Sequence, residues 1–464
     1  GNKNEKIDNS EMNIYYPVLL DISNVDEFGT GYNTTIILNH DKKVYCCGNS
    51  ENNELGLYYR GTYNDFTLLM DITKHDIKDV NYMYNSDKTT FIINKDNDIL
   101  VLGKNEYGQL GLKNTIDVDE FSNINNNINY QSISNSGNSF ILLDNNNDIY
   151  VCGDNQYGQL GIKNKDKFLN KTKVTEFICH YGYLDIFFKY DTIYVTVRGG
   201  KMYGMGNNNN MLGLEQDYIY SPLYIKQISH DYNIEKCSVG KSHVMVLTTG
   251  NLIFVCGDNQ YGQLGLGHNN NNNKYVFVDT IDNNKTIVDI ECGEYFSVVL
   301  FDDNTVYVTG DNRNGQLGIG NQEIQSINIF TKIEIEHIIK IGCGNNHLCL
   351  LDKDRDIYVC GDNQYGQLGL NDKINRYTIT KISMMESIFY GLFEFKYRKD
   401  FNDMYVGFNT SFFKDNRGMY YSCGKNDYGQ LGLNNTNEIL YPEMITFDYL
   451  IQNIINLTES EIII

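Results

Sequence analysis

Residues 152–161 read Cys-Gly-Asp-Asn-Gln-Tyr-Gly-Gln-Leu-Gly, and the same ten residues recur unchanged at 256–265 and 360–369. Three close variants and two more divergent copies, one of them a residue shorter, begin at Leu102, Thr309, Cys423, Cys47 and Met205. The first glycines of the eight copies are Gly48, Gly103, Gly153, Gly206, Gly257, Gly310, Gly361 and Gly424. These glycines lie 50 to 63 residues apart, a period that is typical of repeat architectures.

The residues around each copy predict short β-strands. Before the first of the three identical copies, residues 139–143 and 149–152 are apolar runs separated by the polar turn 144–148. After a copy come two further β-like runs, for example 274–279 and 286–290. Four short strands per unit predict an all-β fold: a single β-propeller of four-stranded blades, with eight blades and seven as the alternative.

The domain prediction follows from the extent of the repeat. Residues 14–464 are assigned to the propeller and residues 1–13 to a short N-terminal tail. A helical pattern is visible only near residues 384–395. This segment belongs to the one long insertion, 384–408, between the seventh and eighth copies.

The motif itself has a mechanical explanation. Its glycines permit positive φ and close backbone contact, so the eight first glycines are predicted to be structural repeat glycines. An asparagine stands at the third motif position and can bond neighbouring amides of the turn; the copies are Asn105, Asn155, Asn259, Asn312, Asn363 and Asn426. The leucine before the last glycine is predicted to fill the gap between neighbouring units.

The pattern Gly-x-Asn-x-x-Gly-Gln-Leu-Gly resembles the repeat of the regulator of chromosome condensation family. A second signature of that family, Gly-x-x-His, stands at 240–243 and 344–347. The family usually has Trp before the first motif glycine, whereas this chain, which contains no Trp, has Cys, Leu, Met or Thr. The resemblance implies a propeller, usually of seven blades, that binds proteins.

The resemblance also implies two kinds of function. One is guanine-nucleotide exchange on a Ran-like small GTPase with docking to chromatin, and the other is protein scaffolding. The family's basic tail is missing here, since residues 1–13 hold two Lys and three acidic residues. The wedge-like hairpin expected of an exchange factor is not evident from the sequence, and residues 396–399 are the insertion's single basic cluster.

Composition restricts the partners. The formal net charge is −21, so direct nucleic-acid binding and binding to an anionic membrane are both disfavoured. A protein partner with a basic surface is expected instead, and a small GTPase is a second option. The apolar fraction of 41% supports a folded core. The scarcity of residues with GC-rich codons, such as Trp and Pro, indicates an AT-rich genome.

Candidate chemical sites have simpler structural explanations. Residues 352–356 begin like a calcium loop but align with hairpin turns, and Ile357 replaces the glycine that such a loop needs. Cys343, His347 and Cys349 lack zinc-site spacing and fit a core strand. His243 and His347 are expected to be hydrogen-bonded within the fold. We therefore predict no enzyme activity, no catalytic residue, no cofactor and no metal, and the sequence assigns no binding face.

Cysteine usage favours an intracellular protein, in the cytoplasm or nucleus. Five of the eleven cysteines occupy one repeat position and are predicted to be buried free thiols: Cys47, Cys152, Cys256, Cys360 and Cys423. No signal peptide or membrane-spanning segment is visible. The leading prediction is a non-enzymatic protein-interaction scaffold; the alternatives are a nucleotide exchange factor and a structural component of a larger particle.

Overall fold

The computed structural model describes the chain between residues 25 and 444, apart from 31–33, 40–42, 51–54, 56–61, 72–79, 86–88, 95–97, 125–129, 137, 147, 175–182, 190–191, 198–200, 209, 230–232, 282–284, 383–384, 391–392, 399, 417, 419, 429 and 432–435. The predicted tail at 1–13 therefore lies outside the described residues. The described part is built almost entirely from β-strands, which confirms the prediction of an all-β fold.

Eight antiparallel sheets follow one another in the described part of the chain, each made of four consecutive strands in sequence order. Sheet 1 comprises β1 (Val25–Thr30), β2 (Thr34–Asn39), β3 (Lys43–Asn49) and β4 (Thr62–Asp71). Sheet 2 comprises β5 (Val80–Asn85), β6 (Thr89–Asn94), β7 (Ile99–Gly103) and β8 (Val118–Asn123). Sheet 3 comprises β9 (Tyr130–Ser136), β10 (Ser139–Asp144), β11 (Ile149–Gly153) and β12 (Phe168–Lys173). Sheet 4 comprises β13 (Tyr183–Lys189), β14 (Thr192–Val197), β15 (Lys201–Asn207) and β16 (Tyr218–Tyr224).

A single-turn helix, α1 (Lys226–Ser229), leads into the second half. Sheet 5 comprises β17 (Ile234–Val239), β18 (His243–Thr248), β19 (Ile253–Gly257) and β20 (Asn272–Phe277). Sheet 6 comprises β21 (Ile287–Cys292), β22 (Phe296–Phe301), β23 (Val306–Asp311) and β24 (Ser326–Lys332). Sheet 7 comprises β25 (Ile338–Cys343), β26 (His347–Asp352), β27 (Ile357–Gly361) and β28 (Arg376–Lys381). The hairpin of β29 (Met385–Tyr390) and β30 (Phe393–Arg398) precedes sheet 8, which comprises β31 (Phe401–Val406), β32 (Thr410–Asp415), β33 (Tyr420–Gly424) and β34 (Ile439–Met444).

The hairpin corrects one sequence-based expectation. The helical pattern near residues 384–395 does not form a helix, because β29 and β30 pair in antiparallel register from Met385 opposite Arg398 to Tyr390 opposite Phe393. A short apolar run does not distinguish a helix from a strand by its period alone.

Burial differs between the four strands of a sheet. The second strands are apolar and buried along their whole length, as β18, β22 and β26 show. The first strands alternate, so that in β21 Ile287 and Ile290 are buried while Val288 is exposed. The first strands of successive sheets also contact each other. A strand with one face on the core and one face open is the expected inner wall of a ring of sheets.

The last sheet packs against the first. Thr35 of β2 donates a hydrogen bond to the carbonyl oxygen of Gln430, at 2.7 Å, although 395 residues separate them. Ile37 and Cys47 share an apolar cluster with Phe413 and Cys423 of sheet 8. This contact closes the row of sheets, so no sheet face is left without a neighbour at the two ends of the row.

Residues of alternating charge occupy one position in the first strands of sheets 4 to 8. The third position of β13, β17, β21, β25 and β31 is occupied by Asp185, Lys236, Asp289, Lys340 and Asp403. The Lys236 ammonium forms ion pairs with Asp289 and, at 3.1 Å, with Glu291 of the next sheet. Lys340 likewise pairs with Asp403. These pairs join neighbouring first strands, and we call this row the inner charge row.

Candidate functional site

Where the structure describes it fully, the motif forms a tight loop between the third and fourth strands of its sheet. In sheet 3 the Asn155 carboxamide oxygen accepts a hydrogen bond from the Leu160 amide at 2.8 Å, and its Nδ2 donates to the Asn164 carbonyl at 2.7 Å. The Gln159 Oε1 accepts from the Tyr157 amide at 3.0 Å. One buried asparagine therefore ties together both ends of the loop, as its position in the motif predicts.

The same contact recurs through the repeat. Seven motif asparagines accept a hydrogen bond from the leucine amide four or five residues later, over 2.8–3.1 Å: Asn105, Asn155, Asn208, Asn259, Asn312, Asn363 and Asn426. The prediction that this residue bonds amides of the turn is confirmed. In sheet 4, where the motif is one residue shorter, Asn208 keeps the bond by reaching the leucine four residues later.

Each predicted structural glycine is the last or the last but one residue of its third strand. All eight have φ between +99° and +117°: Gly48, Gly103, Gly153, Gly206, Gly257, Gly310, Gly361 and Gly424. A Cβ on Gly153 would lie 2.3 Å from the carbonyl oxygen of Asn138 in the preceding turn. Backbone conformation and space both favour glycine at this position. The importance of these glycines for stability remains a prediction.

The end of each motif packs on the next sheet. Leu160 lies in an apolar cluster that contains Val151 of sheet 3 and Met205 of sheet 4. Leu264 is equivalent and lies in an apolar cluster that contains Met245 of sheet 5 and Val299 of sheet 6. The leucine therefore fills the gap between neighbouring units, as predicted.

Main-chain bonds join the loops to the following sheet as well. The Lys163 amide donates to the carbonyl of Tyr220 in β16 at 2.6 Å. The Gly267 amide donates in the same way to Asn328 of β24 at 2.7 Å. Each of these motif loops therefore covers part of the free edge of the next fourth strand.

The Gly-x-x-His signature links sheets. The buried His243 imidazole lies 2.9 Å from the Ser297 hydroxyl of the next sheet, through Nε2. That hydroxyl donates a hydrogen bond to the Gln263 carbonyl at 2.8 Å. It therefore accepts a hydrogen bond from the Nε2–H group of His243. His347 and Ser411 repeat the arrangement at 3.1 Å. The prediction of a hydrogen-bonded structural role is confirmed for both histidines.

The imidazole ring packs directly on the glycine of this signature. A Cβ on Gly344 would lie 2.1 Å from Cε1 of His347, and a Cβ on Gly240 would lie 2.2 Å from Cε1 of His243. In sheet 6 the ring of Phe296 takes the histidine's place and lies 1.8 Å from the Cβ position of Gly293. The three-residue spacing in the sequence therefore places the ring of the His or Phe side chain directly against the glycine.

The structure places the candidate chemical residues in ordinary strands and turns. Residues 352–356 form the turn between β26 and β27, where the Asp356 amide donates to the Asp352 carboxylate at 2.8 Å. Cys343 lies in β25, while His347 and Cys349 lie in β26 with His347 bonded to Ser411. Within the described ranges, no group of three His, Cys, Asp or Glu side chains is placed to hold a metal ion.

The cysteines at the repeat position are buried free thiols, as predicted. Burial raises the pKa of the Cys256 thiol to about 12, which keeps it protonated and unreactive. The thiols of Cys152 and Cys360 point at the motif carbonyls of Gln109 and Gln316 in the preceding sheets, at 3.5 and 3.6 Å. The small thiol therefore occupies an inter-sheet contact where the resembled family usually has Trp.

Surface residues that the sequence did not single out gather at the motif loops. We call the end of the sheets that carries these loops the motif face. The Arg313 guanidinium lies 4.4 Å from the centroid of the Tyr261 ring, and the Lys425 ammonium lies 5.3 Å from that of Tyr365. In both pairs the cation comes from the next sheet. Aligning the loop sequences identifies the tyrosines. It does not identify the cations as their partners, because each cation lies more than fifty residues away in the sequence.

For the part of the chain that is described, no helix has the length and apolar character that a bilayer crossing requires.

The repeating four-stranded sheets, the motif loops between them and the contact of last sheet with first define a repeat protein of the β-propeller class. The sequence model described as the RCC1-like domain matches residues 201–458, somewhat more than half of the chain. The chain belongs to the RCC1-like domain family, and the resemblance seen in its motifs is thereby confirmed.

Two relatives show the same likeness in sequence. RCC1 repeat-containing protein C10F6.04 of Schizosaccharomyces pombe is 32% identical over 196 residues, which cover 40% of this chain and 54% of that protein. The human X-linked retinitis pigmentosa GTPase regulator is 29% identical over 195 residues, which cover 42% of this chain and 17% of that protein. The matched part of this chain thus spans about half of one relative and about a sixth of the other.

Two solved structures show the same fold. Yeast RCC1 (Prp20), in its complex with Kap60, matches with a TM-score of 0.57 and 20% identity over 76% of this chain and 84% of that chain. Human WBSCR16 matches with a TM-score of 0.57 and 18% identity over 73% of this chain and 88% of that chain.

Replacing Gly158 with Val is expected to destabilise the protein. Gly158 has φ +82°, and a Cβ would lie 2.7 Å from the carbonyl oxygen of Ile219 in the next sheet. Backbone strain alone should lower the free energy of unfolding by roughly 1–3 kcal/mol, and displacement of β16 should add to this loss. Urea unfolding gives the value directly.

Gly418→Val is the matched control. Gly418 has the same φ of +82° but no atom within 4 Å of its Cβ position. The control should show the strain component alone. Equal losses in the two variants would contradict the account of Gly158 as an inter-sheet contact.

Acid should weaken the fold through His347. Burial lowers the pKa of its imidazole to about 3, compared with about 6.5 in an unfolded chain. As pH falls from about 6.5 towards about 3, the unfolded chain binds a proton that the folded protein does not. The free energy of unfolding should therefore fall by up to about 1.4 kcal/mol per pH unit from this group.

His347→Phe tests this expectation, because Phe296 occupies the equivalent place in sheet 6. Urea midpoints at about pH 7 and about pH 4.5 should differ less in this variant than in the wild type. Replacement of the half-exposed His337 with Phe should leave the wild-type difference in place. The same acid loss in His347→Phe and wild type would refute the assignment.

Proposed function

We propose that the chain is a non-enzymatic scaffold that binds protein partners through loops of a single closed propeller, with the eight four-stranded sheets as eight blades. The observation that carries the proposal is the motif face. There, polar and aromatic side chains are presented on loops that buried asparagines hold in one shape. Rigid loops on a stable framework lose little conformational entropy on binding, which favours recognition of a protein surface.

The polar groups inside the fold support binding rather than catalysis. Thiols with raised pKa values are poor nucleophiles, and the buried histidines are bonded to serines of neighbouring sheets. Ten described cysteines are free, which supports an intracellular location in the cytoplasm or nucleus. The assignment of residues 14–464 to the propeller belongs to the same proposal.

The charge supports a partner with a basic surface. A net charge of −21 creates a field that speeds association with positive surfaces and opposes contact with nucleic acid. Prp20p of Saccharomyces cerevisiae is described together with its binding to Gsp1p and histones. A small GTPase is therefore the second kind of partner that we consider.

Binding to the partner should depend on salt. Purified chain on a resin should retain a partner from the source organism in stoichiometric amount at about 50 mM salt, and the affinity of the purified pair should fall as salt rises to about 300 mM. No binding to bare duplex DNA is expected under the same conditions. Failure to retain any stoichiometric protein, or tight binding to bare duplex DNA, would refute the scaffold proposal.

A guanine-nucleotide exchange factor is the second candidate, and one observation favours it. The hairpin of β29 and β30 is inserted between sheets 7 and 8, outside the four-stranded repeat. The family resemblance implies an inserted wedge-like hairpin in an exchange factor, and such a hairpin is not evident from the sequence alone. Its basic residues include Lys396 and Arg398.

The release of a fluorescent mant-nucleotide from a Ran-type GTPase distinguishes the two candidates. A scaffold should leave the release rate unchanged at catalytic amounts of the chain. An exchange factor should raise it by orders of magnitude, and replacement of residues 385–398 by a short Gly-Ser linker should abolish the increase. Acceleration that survives this replacement would exclude the hairpin as the active element.

A further inference from the structure

The loop of sheet 6 departs from the length that most of the motif loops share. Gly310 pairs with Ile327, which stands 17 residues later. In six other sheets the partner of the motif glycine stands 15 residues later, and in sheet 4 it stands 13 residues later. The motif of sheet 6 has its full ten residues. The two additional residues therefore lie between the motif and β24.

The longer loop is closed by its main chain. In sheet 6 the Asn312 amide donates to the carbonyl of Gln325 at 2.8 Å, and the Asn312 Nδ2 donates to the carbonyl of Ile324 at 2.8 Å. In sheets 2, 5 and 7 the amide of the motif asparagine donates instead to a side-chain oxygen, which belongs to Asp117, Asn271 and Asn375. The closure of sheet 6 thus fixes the main chain of Ile324 but does not require an isoleucine side chain, which is 38% exposed.

A groove with a volume of about 510 Å³ lies between β24 and β28, the fourth strands of sheets 6 and 7. On one side it is bounded by the end of the long loop, where Ile319 forms an isolated β-bridge with Thr378 of β28. Volumes of about 300–1,000 Å³ are typical of ligand-binding clefts. We call this cleft the isoleucine groove after its apolar lining: Ile319, Ile324, Ile327, Ile333 and Ile379.

The isoleucine groove is continuous with the protein core. Ile333 belongs to the buried apolar cluster of sheets 6 and 7, and three partly buried isoleucines of the lining pack against that cluster: Ile319, Ile327 and Ile379. Ile324 lies outside the cluster and extends the apolar lining to the protein surface. An exposed apolar side chain beside a concave apolar surface is typical of an interaction site.

A lysine of the groove lacks the internal partner that equivalent lysines have. Lys173 and Lys381 each stand opposite a tyrosine of the third strand, and each pairs at 2.5 Å with the aspartate two residues before that tyrosine. Lys332 stands opposite Tyr307 in the same way, but Thr305 occupies the position of the aspartate. Lys332 is exposed, lines the groove and has no ion pair among the described residues.

We propose that the isoleucine groove binds a short segment of a protein partner in which aliphatic side chains stand next to an acidic residue whose carboxylate pairs with Lys332. Aliphatic side chains there cover Ile324 and remove its apolar area from water. The carboxylate supplies the ion pair that sheets 3 and 7 make internally. The proposal rests on the scaffold function and adds to it a second contact surface, apart from the motif face, with a defined partner chemistry.

The probe is the end-blocked peptide Ser-Ile-Val-Ile-Glu-Ser with a fluorescent label at its N-terminus. Two peptides with Gln or Lys in place of Glu test the charge. Fluorescence anisotropy measures binding to the full chain at about 150 mM salt, which screens the field of the distant charges. We expect the Glu peptide to bind at least about fivefold more tightly than the Lys peptide. Tighter binding of the Lys peptide, or no saturable binding of the Glu peptide up to about 1 mM, would overturn the proposal.

Reversing the charge of Lys332 tests the ion pair. Lys332→Glu should weaken binding of the Glu peptide and strengthen binding of the Lys peptide, so that the preference is inverted. Lys226→Glu makes the same change of charge at an exposed position of α1, outside the groove, and should leave the preference as it is. Glu334 also lines the groove, so Glu334→Gln should strengthen binding of the Glu peptide. Equal effects of the Lys332 and Lys226 variants would contradict a local ion pair.

Replacing Ile324 tests the apolar contact. Ile324→Asn should keep the fold, because the bonds of Asn312 go to main-chain carbonyls. Its affinity for all three peptides should fall at least about fivefold. Ile116→Asn is the matched control, since Ile116 is 70% exposed in the loop of sheet 2 and does not line the groove. The control should change the affinity less than about twofold. Similar losses in the two variants would refute the assignment of the groove.

Sedimentation of the wild type and of Ile324→Asn tests whether a second copy of the chain is the occupant instead. We expect the two proteins to sediment as the same species. A wild-type dimer that Ile324→Asn dissociates would assign the groove to self-association and overturn the proposal. None of these results bears on whether the purified chain retains a stoichiometric partner, which tests the scaffold function separately.

Discussion

Closure of seven motif loops, each by one buried asparagine side chain, is the constraint on which the remaining architecture depends. By accepting the leucine amide and donating to a carbonyl about nine residues later, Asn155 fixes the loop between two strands that would otherwise be joined by a flexible segment. The fixed loop places Leu160 in the gap between sheets and the Lys163 amide on the next fourth strand. An unpaired amide at this depth would be costly, so this bond stabilises the closed form of the loop.

Contacts within one repeat were predictable from the sequence, as was the inter-repeat position of the motif leucine, but the particular residues that pair across repeats were not. The turn role of the asparagines and the burial of Cys152 followed from local pattern, because backbone chemistry and hydrophobicity act over a few residues. The Ser297 hydroxyl that accepts a hydrogen bond from His243 lies 54 residues away from His243 in the sequence. Only the relative placement of sheets 5 and 6 identifies it as the partner.

The residues of the motif face were likewise predictable only in part from the sequence. The identical strings at 152–161, 256–265 and 360–369 were visible at once, but their conservation within the chain had a sufficient explanation in turn mechanics. The distinction between buried and exposed members of the motif requires coordinates, because Gln156 and Gln159 are the same residue type in the same loop. One is exposed, while the other is buried and holds the Tyr157 amide.

The inner charge row has a consequence for how a chain of near-identical units assembles in the right order. A sheet that skipped its neighbour during folding would meet equivalent grooves, equivalent leucines and equivalent loops. It would also place Lys236 against Lys340, or Asp289 against Asp403, whereas correct neighbours join opposite charges. Repeat proteins are prone to such misassembly. In the second half of the chain, the alternation of charge therefore disfavours a pairing that skips one sheet.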